Sequence, residues 1–413
     1  MKEITIVYAS DENFLLQTYV SIYSVLKERE TQYYINFVVL VPSGTRQQNY
    51  HAKWSFDNFS IAFEEINNNM FGDLEMKIAH ITKPTYYRLL IPEILEKLDK
   101  CIYLDGDTVC CSDILELYEE QVDDYYIGGC MGELLNWNVD FANDIAARLD
   151  VPSGEGYINA GVLLMNLNKL REISRQLKSE SHNNYQSQDQ DVINKCCYGK
   201  IKILHPKYNL YSWTENMFKK NMVFRYSRRN MEEAMNNPYI IHYANEYTKP
   251  WRNNKCILYD LWWELAEQAL PCEAVFELRQ LTLNNMNEYS DDILFDKVKS
   301  AKKIVIFGFS KVGFEFEEMV IEKFGKEKIL CFCDNDENKI GKIKDGLNVY
   351  PINAVRKDLV DNLIVITSQR YGKEIKRQLF EMGIKGEQFA EYRKKRDSYY
   401  ISLREVDEIH KII

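Results

Sequence analysis

No stretch of this sequence approaches the ~20 consecutive apolar residues of a membrane span. Its start, Met1-Lys2-Glu3-Ile4, runs straight into strand-like sequence without the apolar region of a secretory leader. Neither an integral membrane protein nor a cleaved precursor is expected. No C-x-x-C occurs among the ten cysteines. The adjacent pairs Cys110-Cys111 and Cys196-Cys197 and the single Cys331-x-Cys333 are poor frameworks for disulfides or zinc, which leaves reduced core thiols in a cytoplasm as the expectation. A basic excess is also missing. Lys and Arg number 52 against 62 Asp and Glu, a net charge of −10, which argues against a nucleic-acid partner. There is no internal repeat and no low-complexity tract.

What remains is a chain that is 46% apolar and 28% charged, as soluble globular proteins are. At about 150 residues per domain, 413 residues suggest two or three domains. Strand and helix signals alternate from the start. Ile4 to Ala9 reads as a buried strand, and Phe14 to Lys27 carries Leu15, Tyr19, Ile22 and Leu26 at helical spacing. Ile35 to Val41 is a second strand, stopped by Pro42-Ser43-Gly44. Pro84 to Leu98 reads as mostly helical and Cys101 to Leu104 as a short apolar strand. This alternation predicts an α/β fold with a largely parallel sheet. After the polar stretch Asn284 to Asp292, taken as a linker or exposed helix connection, a second α/β pattern begins. Its strands are Ile304 to Phe307, Ile329 to Cys333 and Asn362 to Thr367. Its helices are Phe314 to Phe324 and Lys373 to Met382.

Four elements carry chemistry. In Lys100-Cys-Ile-Tyr-Leu-Asp-Gly-Asp-Thr-Val109 a buried strand delivers Asp105 and Asp107, which in extended chain point the same way and can reach one cation. Gly106 between them leaves room for a ligand against the backbone. Carboxylate oxygens select hard ions such as Mg²⁺ or Mn²⁺. The same D-x-D also describes a solvated turn. Tyr157-Ile-Asn-Ala-Gly-Val-Leu-Leu-Met-Asn166 places Asn159 and Gly161 ahead of a fully apolar strand. Gln188-Asp-Gln-Asp191 opens a helical run, where acidic residues are also ordinary capping chemistry. Ile240-Ile-His-Tyr243 precedes Lys249-Pro-Trp251, and a histidine at a strand end is also a common core residue.

In this order and spacing the four elements resemble family 8 of the retaining glycosyltransferases. Val7-Tyr-Ala-Ser-Asp-Glu-Asn13 resembles that family's opening strand and nucleotide loop, and Thr85-Tyr-Tyr-Arg88 resembles its arginine segment. The resemblance implies a GT-A nucleotide-sugar transferase domain over residues 1–265, a UDP-hexose donor (UDP-glucose or UDP-galactose) and a divalent metal, Mn²⁺ or else Mg²⁺. Carried over by residue, it implies uridine contacts at Asp11 and Asn13 and a metal at Asp105, Asp107 and His242. It further implies a diphosphate contact at Lys249 and a donor-sugar environment of Arg88, Asn159, Asp189 and Gln190. Two carboxylates with one imidazole suit Mn²⁺ better than Mg²⁺. The chain departs from the family's H-x-x-G-x-x-K-P-W, carrying one extra residue and Asn245 in place of the glycine. The implied acceptor is a bacterial surface glycan or a glycoprotein. A non-catalytic nucleotide-sugar-binding scaffold is the alternative.

Residues 266–298 are expected as a helical linker and 299–392 as a small Rossmann-like α/β domain. Ile304-Val-Ile-Phe-Gly-Phe-Ser-Lys-Val-Gly313 is similar to a Rossmann first turn, with Ser310 replacing the middle glycine and Asp334 ending the next strand. A structural or docking role, or ligand binding, fits this unit better than hydride chemistry. Two basic-aromatic stretches, Phe218 to Arg229 and the tail 393–413 with Arg393-Lys-Lys-Arg396 and Tyr399-Tyr400, suit an anionic membrane surface or a solvated face. The expectation is a cytoplasmic enzyme, peripheral to the inner membrane face if those stretches dock.

Overall fold

The computed structural model describes residues 2–392 apart from 31, 68–82, 133–138, 184, 215–224, 245–248, 253–255, 289–290, 360–361 and 369–370. The described chain divides into two compact units, one ending at Arg279 and one beginning at Gln280.

In the first unit, β1 (Glu3–Ala9), β2 (Tyr34–Pro42), β3 (Phe59–Ile66), β4 (Lys100–Leu104), β6 (Ile127–Met131), β7 (Ile158–Asn166) and β8 (Ile201–Ile203) form one sheet, ordered β3-β2-β1-β4-β7-β6-β8. A second, three-stranded sheet holds β5 (Thr108–Cys110), β10 (Ile240–His242) and β9 (Leu210–Tyr211) in that order. β1 is buried on both faces, which is why its apolar run is continuous rather than alternating. Val7, Tyr103 and Leu163 face one core, while Ile6, Ile102 and Leu164 face the other. Helix α1 (Leu15–Lys27) covers the second core with Ile22, Val25 and Leu26. Its opposite side, at Tyr19 and Val20, meets Trp262 and Trp263 of a helix at Tyr259–Ala269.

The large sheet is mixed rather than largely parallel. β3, β2, β1 and β4 run parallel, but β7 is antiparallel to both β4 and β6. An apolar run buried on both faces reads the same in either direction, so sequence cannot assign the sense of β7. The helix expected over Pro84 to Leu98 is instead a 3₁₀ segment, Lys83–Leu90, followed by one α-turn, Ile91–Ile94. The Thr85 carbonyl there accepts a bond from the Arg88 side chain at 2.9 Å.

The second unit builds β11 (Ile304–Phe307), β12 (Ile329–Cys333), β13 (Ile343–Lys344), β14 (Leu347–Tyr350), β15 (Leu363–Ile366) and β16 (Phe389–Glu391) into a sheet ordered β13-β14-β12-β11-β15-β16. All pairs are parallel except β13–β14. Ile304 and Ile306 face one core with Phe316 and Val320, and Val305 and Phe307 face the other with Ile375 and Leu379. This is a doubly wound arrangement whose strand order reverses beside β11. The turn after β11 uses Gly308 at φ 132° and Gly313, whose added Cβ would collide with the Gly308 carbonyl. Ser310 caps the following helix, Lys311–Phe324, by accepting from the Gly313 N–H.

The polar stretch from Asn284 is helical as far as Glu288, within Cys272–Glu288, and Asp291–Ser300 is a further helix. All ten cysteines are free and eight are buried. Among the described residues no helix is long and apolar enough to cross a membrane. Of the basic-aromatic stretches, Phe218 to Phe224 and the tail 393–413 lie outside the described residues. Arg225 and Arg228 pair with Glu155 and Glu232.

Asp334 accepts the Phe309 N–H at 2.8 Å and the Asp336 N–H at 3.0 Å, and its carboxylate pairs with Lys339 at 3.1 Å. The acidic residue that a ribose would need is therefore engaged by its own turn. The full-length protein is expected to show no NAD binding by calorimetry. A micromolar dissociation constant would contradict this reading of the turn.

Candidate active site

The two sheets of the first unit meet at Asp105-Gly106-Asp107. Asp105 leaves β4 still bonded to the large sheet, its N–H donating to the Gly161 carbonyl at 2.8 Å. Three residues later β5 pairs with β10 in antiparallel register, with Thr108 opposite His242. The Tyr243 N–H donates to the Asp107 carbonyl at 3.0 Å. Sheet pairing thus brings together residues 135 positions apart in the chain. The carboxylate oxygens of Asp105 and Asp107 and a ring nitrogen of His242 lie within 4.8 Å of one another.

Two glycines make this possible, for different reasons. Gly106 is required by packing. A Cβ there would come within 2.6 Å of the Thr18 hydroxyl and 3.2 Å of the Phe14 ring, so the expectation that it opens space for a ligand is corrected to close approach of α1. Gly161 is the residue that lets His242 approach β7. A Cβ there would collide with His242 Cε1 and come within 2.8 Å of Asp105 Oδ2. Asn159 and Gly161 lie inside β7, not ahead of it.

The electrostatics are concentrated. Asp107 is buried between His242, whose Nε2 lies 3.2 Å from Oδ1, and Lys249, whose ammonium bonds Oδ2 and also donates to the Tyr243 carbonyl at 3.1 Å. Burial alone would raise the Asp107 carboxyl, but Lys249 and His242 outweigh it and hold the group well below the usual carboxylate range. Asp107 Oδ1 has no hydrogen-bond partner among the described residues although it is buried. That is a costly state for a carboxylate oxygen, and a cation would relieve it. The donor set fits a divalent metal. Phe14 links this corner to the first loop, its ring lying 5.7 Å from Lys249 Nζ and 5.6 Å from the Trp251 ring.

Arg88 joins Asp105 to Asp189. Its Nη2 lies 3.1 Å from Asp105 Oδ1 and its Nε 2.9 Å from Asp189 Oδ2, and it also donates to the Ala160 carbonyl. Tyr103 supports the pair from below, with its ring 4.5 Å from the guanidinium and its hydroxyl donating to Asp105 at 2.8 Å. Burial raises the Asp189 carboxyl to about 6, more than Arg88 and the Thr85 hydroxyl lower it. The preceding residue, Gln188, is held at φ 51° with its amide buried. Such strain is typical of a residue whose neighbours are fixed by function.

Asn159 donates to Gln190 Oε1 at 3.0 Å, and that oxygen also accepts the Ala160 N–H at 3.0 Å. Asp11 and Asn13 sit in the turn after β1, where Asp11 accepts the Asn13 N–H at 3.0 Å. The turn lies at the carboxyl edge of the sheet, where ligands of open α/β sheets bind. Sequence reasoning missed Asn209, which bonds His242 at 2.9 Å. It also missed Tyr103 and the role of Gly161. No local signal distinguishes Asn209, a lone amide among aromatic residues.

A nucleotide-binding α/β sandwich with a carboxylate pair at the end of a central strand is the GT-A glycosyltransferase arrangement. The chain matches the glycosyl transferase family 8 over residues 5–255 and belongs to that family. Residues 300–389 match a second family, described as C2185-like, N-terminal. The galactosyltransferase LgtC, solved in complex with donor and acceptor sugar analogs, superposes with a TM-score of 0.54 at 26% identity over 65% of this chain and 98% of that one. The lipopolysaccharide 1,3-galactosyltransferase of Salmonella typhimurium is 28% identical over 260 residues, 60% of this chain and 73% of that protein. Glycosyltransferase GlyE of Streptococcus pneumoniae is 28% identical over 197 residues, 46% of this chain and 42% of that protein. A relative from Haemophilus influenzae is matched over 66% of its length. The chain thus spans less than two thirds of several curated relatives.

The geometry makes Gly161→Ala a test of the site, because the three atoms nearest the added Cβ belong to His242, Asp105 and Asn159. We expect cooperative melting to be retained and Mn²⁺ affinity, followed by electron paramagnetic resonance, to fall at least ~10-fold. Unchanged affinity would remove His242 and Asp105 from the metal centre.

Proposed function

We propose that the protein is a retaining hexosyltransferase that moves glucose or galactose from a UDP-sugar to a glycan or glycoprotein acceptor, using Mn²⁺ held by Asp105, Asp107 and His242. The observation that carries this is the buried, unpartnered Asp107 oxygen facing an imidazole nitrogen at the junction of two sheets. The names of the lipopolysaccharide glucosyl- and galactosyltransferase relatives support the choice of hexose and acceptor class. Ten free cysteines fit a reducing compartment, and we place the reaction in the cytoplasm.

When bound, the metal supplies Lewis-acid stabilisation of the diphosphate leaving group. The chain's own residues do the rest. Asp11 accepts the uracil N3–H and Asn13 completes the uridine contact. Lys249, once released from Asp107, neutralises the departing diphosphate. Asp189 holds a carboxylate near the anomeric centre as positive charge develops there, and Arg88 holds Asp189 and Asp105 in fixed relation. Gln190 is a poor nucleophile, since its carbonyl oxygen already accepts two hydrogen bonds. We therefore favour attack by the acceptor hydroxyl on the face from which UDP leaves. The second unit supplies no catalytic group in this scheme and serves acceptor recruitment.

Incubation with UDP-glucose or UDP-galactose and Mn²⁺ should release UDP slowly without acceptor. Asp107→Asn should abolish that release while the fold persists. Full release in EDTA would contradict the metal assignment, and tight UDP binding without turnover would favour the scaffold reading.

Asp189 predicts a pH dependence. Its carboxyl titrates near 6, so below that pH it is protonated and cannot stabilise positive charge. Turnover should fall with a one-proton slope as pH drops through about 6. In Asp189→Asn turnover should be at least ~10-fold lower and lack that limb. An unchanged limb in the variant would assign it to another group.

A further inference from the structure

The metal reading leaves open how His242 comes to offer Nε2 to a cation, since an imidazole presents a lone pair at only one nitrogen when neutral. The polarity of a buried hydrogen-bond chain answers this. At its far end Asp191 is fully buried and accepts from Arg148 Nη2 at 2.9 Å and from the Ser187 N–H at 2.8 Å. A carboxylate held in this way only accepts, so the Tyr157 hydroxyl, 2.6 Å away, donates to it. Burial and the neighbouring Asp191 raise the Tyr157 phenol, which keeps that proton in place.

Having donated its proton, Tyr157 accepts from Gln190 Nε2 at 2.9 Å. Gln190 Oε1 therefore faces Asn159 and the Ala160 N–H, and the backbone donor confirms the orientation of the amide. Asn159 then presents Oδ1 to two donors, the Gly161 N–H and Asn209 Nδ2, each at 2.9 Å. Asn209 is left with only its oxygen for His242 Nδ1, at 2.9 Å. An oxygen there requires a proton on Nδ1. In the neutral ring Nε2 then carries a lone pair directed at Asp107 Oδ1, 3.2 Å away. Two acceptors at that separation repel unless a proton on Nε2 or a metal cation lies between them, and a bound cation takes the place of that proton. Each amide in the chain is oriented by a fixed donor or acceptor, two of them backbone N–H groups, so no single flip reverses it.

We propose that Asn209 is a positioning residue that presents His242 to a divalent cation through Nε2, and that its orientation is set by the relay Asp191–Tyr157–Gln190–Asn159. This rests on the metal reading of Asp105, Asp107 and His242 proposed above. It gives Asn159 and Gln190 a duty apart from any contact with sugar, and it assigns one to Asn209, Tyr157 and Asp191.

The test uses the full-length protein and two measurements. In the wild type loaded with diamagnetic Mg²⁺, long-range ¹H–¹⁵N correlation should show His242 protonated at Nδ1 and bare at Nε2. Mn²⁺ titration followed by electron paramagnetic resonance should show Asn209→Ala binding ~10–100-fold more weakly, the range seen when outer partners of metal ligands are removed. Asn209→Asp, which keeps an acceptor opposite Nδ1, should recover most of that loss. Tyr157→Phe, which frees the Gln190 amide, should weaken binding several-fold. A proton on Nε2 of the loaded wild type, or unchanged Mn²⁺ affinity in Asn209→Ala, would overturn the relay while leaving the metal site standing. If Asn209→Ala does not fold, the wild-type nitrogen assignment decides the matter. Absence of Mn²⁺ binding by the wild type would overturn the metal reading itself, and the relay with it.

Discussion

The first unit is organised around one costly interaction: the Asp107 carboxylate, buried where two sheets meet, with Lys249 on one oxygen and His242 facing the other. Removing a carboxylate from water is expensive, and the penalty is met only by close, well-aligned opposite charge. The surroundings supply more acid than base. Asp105, Asp107 and Asp189 stand against Arg88 and Lys249. With a neutral imidazole the cluster carries a net negative charge in a largely buried setting. A divalent cation reverses that sign, and the reversed cluster attracts a diphosphate. On the proposed function, this one electrostatic imbalance would serve both for binding a metal and for binding a nucleotide sugar in its presence.

The backbone is arranged to keep that imbalance in place. Asp105 belongs to the large sheet through the Gly161 carbonyl, and Asp107 to the small one through the Tyr243 N–H. The backbone of neither aspartate can shift without disturbing strand pairing. Arg88 adds a second tie, spanning from the 3₁₀ segment to both Asp105 and Asp189. The glycines mark two close approaches: α1 against Gly106, and His242 against Gly161. The second unit achieves its turn differently, with Gly313 against the Gly308 carbonyl and Asp334 folded back on Phe309. That is a packing solution, and it leaves the acidic side chain engaged.

Much of this was legible in the sequence, and the limits of legibility are physical. Strands β1 and β4 were readable because burial on both faces demands largely apolar runs, and β2 because its mostly apolar run is bounded by Pro42-Ser43-Gly44. The sense of β7 was not, because such a run carries no direction. Asp105 and Asp107 could be paired from their spacing alone. His242 joined them only through resemblance, since its neighbour in space is set by the antiparallel register of β5 and β10. Gly106 and Gly161 look alike in sequence, yet one admits α1 and the other admits His242 and Asp105. Asn209 was invisible, because its importance lies in which atoms its amide turns toward each neighbour, and only folding decides that.

The central claim is that Asp105, Asp107 and His242 hold a divalent cation and that Lys249 gives up Asp107 when they do. Anomalous diffraction from crystals of the full-length protein grown with Mn²⁺ and UDP measures this most directly. The account predicts an anomalous peak bonded to both carboxylates and to His242 Nε2, with the Lys249 ammonium moved from Asp107 to the diphosphate. A peak elsewhere, or a Lys249–Asp107 pair that persists with nucleotide bound, would contradict it.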